Sequence, residues 1–319
     1  MNVPIRMTLA AGLLLASPLA LADDGMSDSK VTPSSIETGR YTYEGHGSVN
    51  THWIETPTSV IVIDVQRDTT HAAEAIEAVR ALGKPVSTII VTHGHPDHYT
   101  GLEQFLVEWP DARVLASPET IRVIDTDAYG YHDVVRELTP DEAPDTFVVP
   151  DTMIEPNATL RIDGVTIETL EAGPSEATGA TVLYLPASGN LYVGDLVLNG
   201  MHGFFFEERS AELLATLEDL AALFPLDATA HPGHGDPGPF EELLAAQIEY
   251  TERARRLASE AIDAGLTGAD AAGHVRDALM AEYPDHGVPG GQPDMVELSA
   301  GGVIGELLDR RAEREATVR

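Results

Sequence analysis

An α/β fold is expected from three features of this chain. Short apolar or alternating runs of strand length recur at 40–44, 50–54, 59–63, 86–91, 159–162, 166–170, 181–185 and 191–193. Between them lie stretches with apolar residues at helical spacing, and beyond Gly235 helical spacing continues alone. Residues 1–22 carry one positive side chain (Arg6), an apolar stretch at 7–16 and the small-x-small Ala20-Leu21-Ala22. That is the layout of a secretory signal peptide cleaved near Ala22, with an apolar run too short to span a bilayer. A periplasmic or secreted protein without a stable membrane anchor is expected, since no Cys follows for lipid attachment. Residues 23–37, rich in Ser, Asp and Pro, read as a flexible leader.

The α/β domain occupies 38–238. Its helices are expected at 72–82, closed by Gly83, at 102–109, ended by Pro110, and at 211–224, with Ser210 as the cap. Helical segments at 240–264, 269–283 and 296–312 form a C-terminal extension, 239–319. It either packs on the domain and shapes the pocket mouth or serves as a homodimer element.

Charge excludes some partners. The chain has 52 acidic against 19 basic residues, a net charge of −33, and its only lysines are Lys30 and Lys84. Such a surface repels nucleic acid and anionic membranes, which leaves a small molecule as the expected partner. It resembles surfaces that work in high salt, where screening removes self-repulsion. With no cysteine, any metal centre must be built from His and carboxylate.

The chemistry concentrates in Thr92-His93-Gly94-His95-Pro96-Asp97-His98, directly after the run 86–91. Three imidazoles and a carboxylate on one loop at a strand end suit borderline metals such as zinc, and suggest two ions rather than one. The bland alternative is a polar loop with exposed histidines.

This segment resembles the H-x-H-x-D-H signature of the metallo-β-lactamase fold superfamily, and the resemblance extends from about Gly47 to Gly235. Residues 60–64 resemble the early strand that ends in the family's structural Asp, here Asp64. Residues 190–195 resemble the strand ending in Gly-Asp, and Pro232-Gly233-His234-Gly235 resembles the loop that supplies the last histidine. One position departs from the family pattern: Glu176 stands where the third motif usually has His, as in some alkylsulfatase-like branches. The resemblance implies a four-layer αβ/βα sandwich. It also implies one metal on His93, His95 and Glu176, a second on Asp97, His98 and His234, and Asp195 bridging. Glu176 either ligates or faces solvent with one ion firmly held. Two Zn2+ are expected, with Mn2+ or Fe2+ as alternatives because a carboxylate favours harder metals. A hydroxide between the two ions would attack the substrate, with Asp97 orienting it and shuttling its proton.

His202, seven residues after Asp195, is expected to contact substrate or donate a proton to the leaving group; Phe204 and its neighbours either wall an apolar pocket or are core; Tyr99 either hydrogen-bonds to a ligand or packs in the core. His46, His52, His71, His132, His274 and His286 are expected as surface or core groups, while His231, three residues before His234, either supports the ligands from behind or is buried without a role. The fold hosts many reactions. Hydrolysis of a small ester, lactone or related substrate is expected, with a mononuclear iron oxygenase or an alkylsulfatase-like sulfate ester hydrolase as alternatives. Glu176 and export argue against a glutathione thioesterase, Glu176 also against a typical β-lactamase, and a binding module would have lost ligands.

Overall fold

Strand β3 (Val60–Ile63) is buried along its whole length because both of its faces are covered. Val60 and Val62 face helices, while Ile61 and Ile63 face a second sheet. The computed structural model describes residues 36–43, 45, 48–288, 291 and 293–318. The expected signal peptide, all but the last two residues of the leader, and His46 lie outside the described residues.

The first sheet runs β1 (Thr38–Tyr41), β2 (Thr51–Glu55), β3, β4 (Val86–Ile90), β5 (Arg113–Ala116) and β6 (Thr152–Met153), in that order. Pairing is antiparallel from β1 to β3 and parallel from β3 to β6. The second sheet holds β7 (Thr159–Ile162), β8 (Val165–Ala172), β9 (Ala180–Leu185), β10 (Asn190–Gly194), β11 (Thr229–Pro232) and β12 (Gly238–Pro239), also in sequence order. Only β10 and β11 pair in parallel there. Ile54, Ile61, Ile63 and Ile90 of the first sheet meet Ile167, Leu183, Leu185 and Tyr192 of the second in the central core.

Helices α1 (Thr69–Arg80), α2 (Pro96–Tyr99), α3 (Leu102–Glu108), α4 (Pro118–Thr126) and α5 (Tyr131–Leu138) are interleaved with the first sheet. Ala72, Leu102, Phe105 and Ile124 from these helices cover its outer face. Helices α6 (Ser210–Leu223), α7 (Phe240–Asp263), α8 (Gly268–Glu282) and α9 (Pro293–Val318) cover the second sheet. The result is helix, sheet, sheet, helix: the expected four layers. The C-terminal helices share one apolar cluster with β9, β10 and β11, so they pack on the domain. None of the described helices is long and apolar enough to cross a membrane.

Two local readings are corrected. Ser210 does not cap α6; it is the helix's first residue. The cap comes from α9, where Glu306 accepts from the Ser210 and Ala211 backbone N–H groups at 2.8 and 3.3 Å. A carboxylate there also suits the positive end of the helix dipole. Helices α4 and α5 were not among the expected elements. Yet α4 has a readable start, Ser117-Pro118, with the Ser117 hydroxyl accepting from the Thr120 N–H.

Candidate metal centre

The two sheets are joined at one end by backbone bonds, from Thr181 N–H to the Thr92 carbonyl and from Asn50 N–H to the Gly233 carbonyl, both 2.7 Å. Every residue of the expected cluster sits at this end. His93, His95, Asp97 and His98 follow β4, Glu176 precedes β9, Asp195 follows β10 and His234 follows β11. The cluster is therefore assembled from both sheets.

Donor atoms of His93, His95, Glu176 and Asp195 lie within 4.8 Å of one another, as do those of Asp97, His98 and His234. In the first group His95 Nδ1 is 3.0 Å from His93 Nε2 and 2.8 Å from Glu176 Oε1. In the second, His234 Nε2 is 3.2 Å from Asp97 Oδ2. Asp195 reaches the second group too, 3.4 Å from His98 Nε2 and 3.2 Å from His234 Nε2. Ligand atoms about 2.0–2.2 Å from one zinc stand roughly 3.3 Å apart at a tetrahedral angle, so these spacings fit. Glu176 is buried with its side chain 3% exposed, which answers the alternative that it faces solvent.

The outer nitrogen of each imidazole has a partner that fixes its tautomer. His98 Nδ1–H donates to Asp64 at 2.8 Å, and His234 Nδ1–H to the Ser48 carbonyl at 2.7 Å. The Thr92 hydroxyl gives its proton to Asp64, so His93 Nδ1–H donates to Thr92 Oγ1 at 3.0 Å. His95 Nε2–H donates to Glu207 at 3.4 Å. The inner nitrogens are thus aimed at the cluster, the arrangement of metal-bound histidines. Asp64 takes its place from the left-handed region, φ 58°, and also accepts from the Thr92 N–H.

Four buried cluster atoms, His98 Nε2, Asp195 Oδ1 and both Glu176 oxygens, lack a hydrogen-bond partner in the protein. Orphaned buried donors and acceptors are costly, and cations among them would satisfy all four. By this test the residues fit a pair of divalent metals.

Among the protein's own groups, charges are paired. Burial alone would lower His98, but Asp195, Asp64 and Asp97 hold it well above the usual imidazole range. The same contest lifts His95 through Glu176, and His234 to about 10 through Asp195 and Asp97. Burial and two neighbouring imidazoles push His93 well below that range. Despite burial, His98 and His234 keep Asp97 and Asp195 low, while Glu176 is raised, chiefly by burial.

The remaining candidates separate. The Phe204 ring stands edge-on to His95 with centroids 5.3 Å apart, and Tyr131 of α5 does the same at 5.6 Å. Tyr99 instead packs in the first sheet's outer core near Phe147. His202 is buried, with its Nδ1 on the Tyr250 hydroxyl at 2.9 Å. Neither has the surroundings of a substrate contact. Among the non-ligand histidines, His52 donates to the Pro232 carbonyl beneath the last loop, and His231 bonds Asn190. Tyr131 and Glu207 were missed by sequence reasoning. Tyr131 rides on an unread helix, and Glu207 lies in a loop where no local pattern marks it.

Comparison with known proteins agrees with this geometry. Residues 45–242 match the metallo-beta-lactamase superfamily, and the chain belongs to that family. A metallo-beta-lactamase from Pontibacter korlensis has a similar fold, with a TM-score of 0.52 at 22% identity over 68% of this chain and 94% of that one. A hydroxyacylglutathione hydrolase of Synechococcus sp. is 28% identical over 54% of this chain, and a linear primary-alkylsulfatase of Pseudomonas sp. is 25% identical over 63%. The alpha subunit of a 2,4-dinitroanisole O-demethylase from Nocardioides sp. is 33% identical over 48%. The matches span 62%, 44% and 43% of those three relatives, respectively.

Proposed function

We propose that this protein is an exported metal-dependent hydrolase acting on a small ester, lactone or related substrate through a two-ion centre. The observation that carries this reading is Asp195, a single carboxylate in contact with donors of both groups. His93, His95 and Glu176 would hold one ion, Asp97, His98 and His234 the other, and Asp195 would bridge. Zinc suits this His and carboxylate donor set. When bound, the ions would polarise the electrophilic oxygen of the substrate and make an attacking water acidic near neutral pH.

The chain's own residues do the rest. Asp97 is the most exposed of the three cluster carboxylates, at 29% against 8% for Asp195 and 3% for Glu176. This exposure supports a role for Asp97 in orienting the attacking water and accepting its proton. The outer partners of the imidazoles hold the donors in position without rearrangement. Phe204 and Tyr131 stand edge-on beside His95, and their rings would suit an apolar substrate portion.

A hydrolysis panel tests this reading: chromogenic carboxylic, phosphate and sulfate esters, a lactone and a cephalosporin, offered to the zinc-loaded protein in high salt. Turnover of an ester or lactone is expected, and it should vanish in Asp195→Asn. Full activity in Asp195→Asn or His95→Ala would sink the mechanism. A second reading has its own support, since each group supplies two His and one unshared carboxylate, a set that also suits non-haem iron. It predicts iron in the purified protein and O2 consumption. Export predicts a periplasmic or secreted product whose first residue is Asp23.

A further inference from the structure

The loop between β10 and α6 brings a further carboxylate to the cluster from behind. Glu207 Oε1 faces His95 Nε2 at 3.4 Å, while on the other side of the ring Nδ1 faces Glu176 at 2.8 Å. The Glu207 side chain is 2% exposed, and its second oxygen is fully engaged. It accepts from the Tyr129 hydroxyl at 2.9 Å and the Thr178 hydroxyl at 2.8 Å, with Arg209 Nε 3.5 Å away. Glu207 thus joins three segments: the ligand loop, the α4–α5 turn and the Glu176 loop.

We propose that Glu207 is a positioning residue for the first ion, acting through His95; this rests on the two-ion reading above. A carboxylate cannot donate here, so it takes the His95 Nε2–H and leaves the Nδ1 lone pair aimed between His93 and Glu176. A negative charge behind an imidazole also makes it a stronger donor. The parallel with the second group supports the assignment. There Asp64 stands behind His98 in the same way, at 2.8 Å, whereas His93 and His234 are backed by neutral oxygens. Each group therefore contains one histidine with a carboxylate behind it. The competing role is a buttress for the Glu176 loop through Thr178, with no effect through His95.

The test is a zinc competition titration against a chromophoric chelator, resolving both ions, on wild type, Glu207→Gln and Thr178→Val. Glu207→Gln keeps the shape and removes the charge, while Thr178→Val cuts the loop tie and spares the His95 contact. We expect Glu207→Gln to weaken one ion by roughly 10–100-fold and to leave the other within about threefold. Thr178→Val should leave both ions near their wild-type affinity, because it spares the His95 contact. The loss should persist in an Asp97→Ala background and disappear in His93→Ala, which assigns it to the first ion. Unchanged affinities in Glu207→Gln overturn the proposal. So does an equal loss of both ions matched by Thr178→Val, which is the buttress result. A wild-type protein that binds fewer than two ions overturns the two-ion reading instead, before any variant is compared.

Discussion

Glycine 233 shows how closely this site is fitted at the level of single residues. A Cβ there would stand 2.1 Å from Asp195 Oδ1 and 2.8 Å from His98 Cε1, so the Pro-Gly-His turn passes the Asp195 carboxylate only without a side chain. Gly233→Ala should therefore displace Asp195 and cost at least one bound ion, seen as sub-stoichiometric zinc by metal analysis. Asp64→Asn removes the charge behind His98 and should weaken the second ion by roughly 10–100-fold in the same titration. Protons compete with metal at His95, His98 and His234, whose carboxylate neighbours raise their affinity for protons. Apparent metal affinity should rise with pH until His234 loses its proton at about 10, with proton release seen calorimetrically in buffers of different ionisation heat. In the metal-free protein the sign for stability is opposite. His234 is raised from 6.5 to about 10, so its contribution is full below about 6.5 and is lost as pH climbs toward 10. Urea unfolding across that window, compared with His234→Ala, checks it.

At the level of elements, α9 supports the loop that carries Phe204. A Cβ on Gly302 would lie 2.1 Å from the Phe205 carbonyl oxygen, and the Ser299 hydroxyl receives the Phe205 N–H at 3.2 Å. One helical turn on, Glu306 accepts from Ser210 and from Arg255 and Arg310 at 2.7 and 3.0 Å. The loop carrying Phe204 and Glu207 is thus pinned at its middle and at its end. Glu306→Ala should destabilise the protein by roughly 1–3 kcal/mol, the cost of leaving the buried Ser210 donors without an acceptor, measured by urea unfolding. Gly302→Ala should lower kcat/KM on the best panel substrate while both ions still bind. Little of this support was legible in the sequence. The ligand loop announced itself because its donors are adjacent in the chain, and strands such as β3 and β9 because burial on both faces demands continuous apolar residues. Glu207 and Glu306 gave no signal, because each acts on a segment distant in sequence. Ser210 misled for the same reason: a residue that looks like a local cap was overridden by a carboxylate arriving from α9.

For the molecule as a whole, the cluster staples two sheets. The first sheet supplies His93, His95, Asp97 and His98, and the second supplies Glu176, Asp195 and His234. Anything that binds the native state alone raises stability by mass action, so chelation should lower Tm, and zinc should restore it. The net charge of −33 acts against the compact state at low ionic strength. Raising NaCl from 0.1 to 1 M shortens the screening length from about 10 to 3 Å, and Tm should climb; a flat response would argue against salt adaptation. The support from α9 also has a consequence in time. Synthesis runs from the amino end, and His234, the last residue of the cluster, is made about 70 residues before Glu306, which at roughly 5–20 residues per second is an interval of about 3–14 s. During those seconds the growing chain owns every ligand but not the helix that braces the Phe204 loop. A polypeptide ending after α8 should preserve that moment: it would capture metal yet turn over poorly, separating in one molecule the making of a cofactor site from the making of an enzyme.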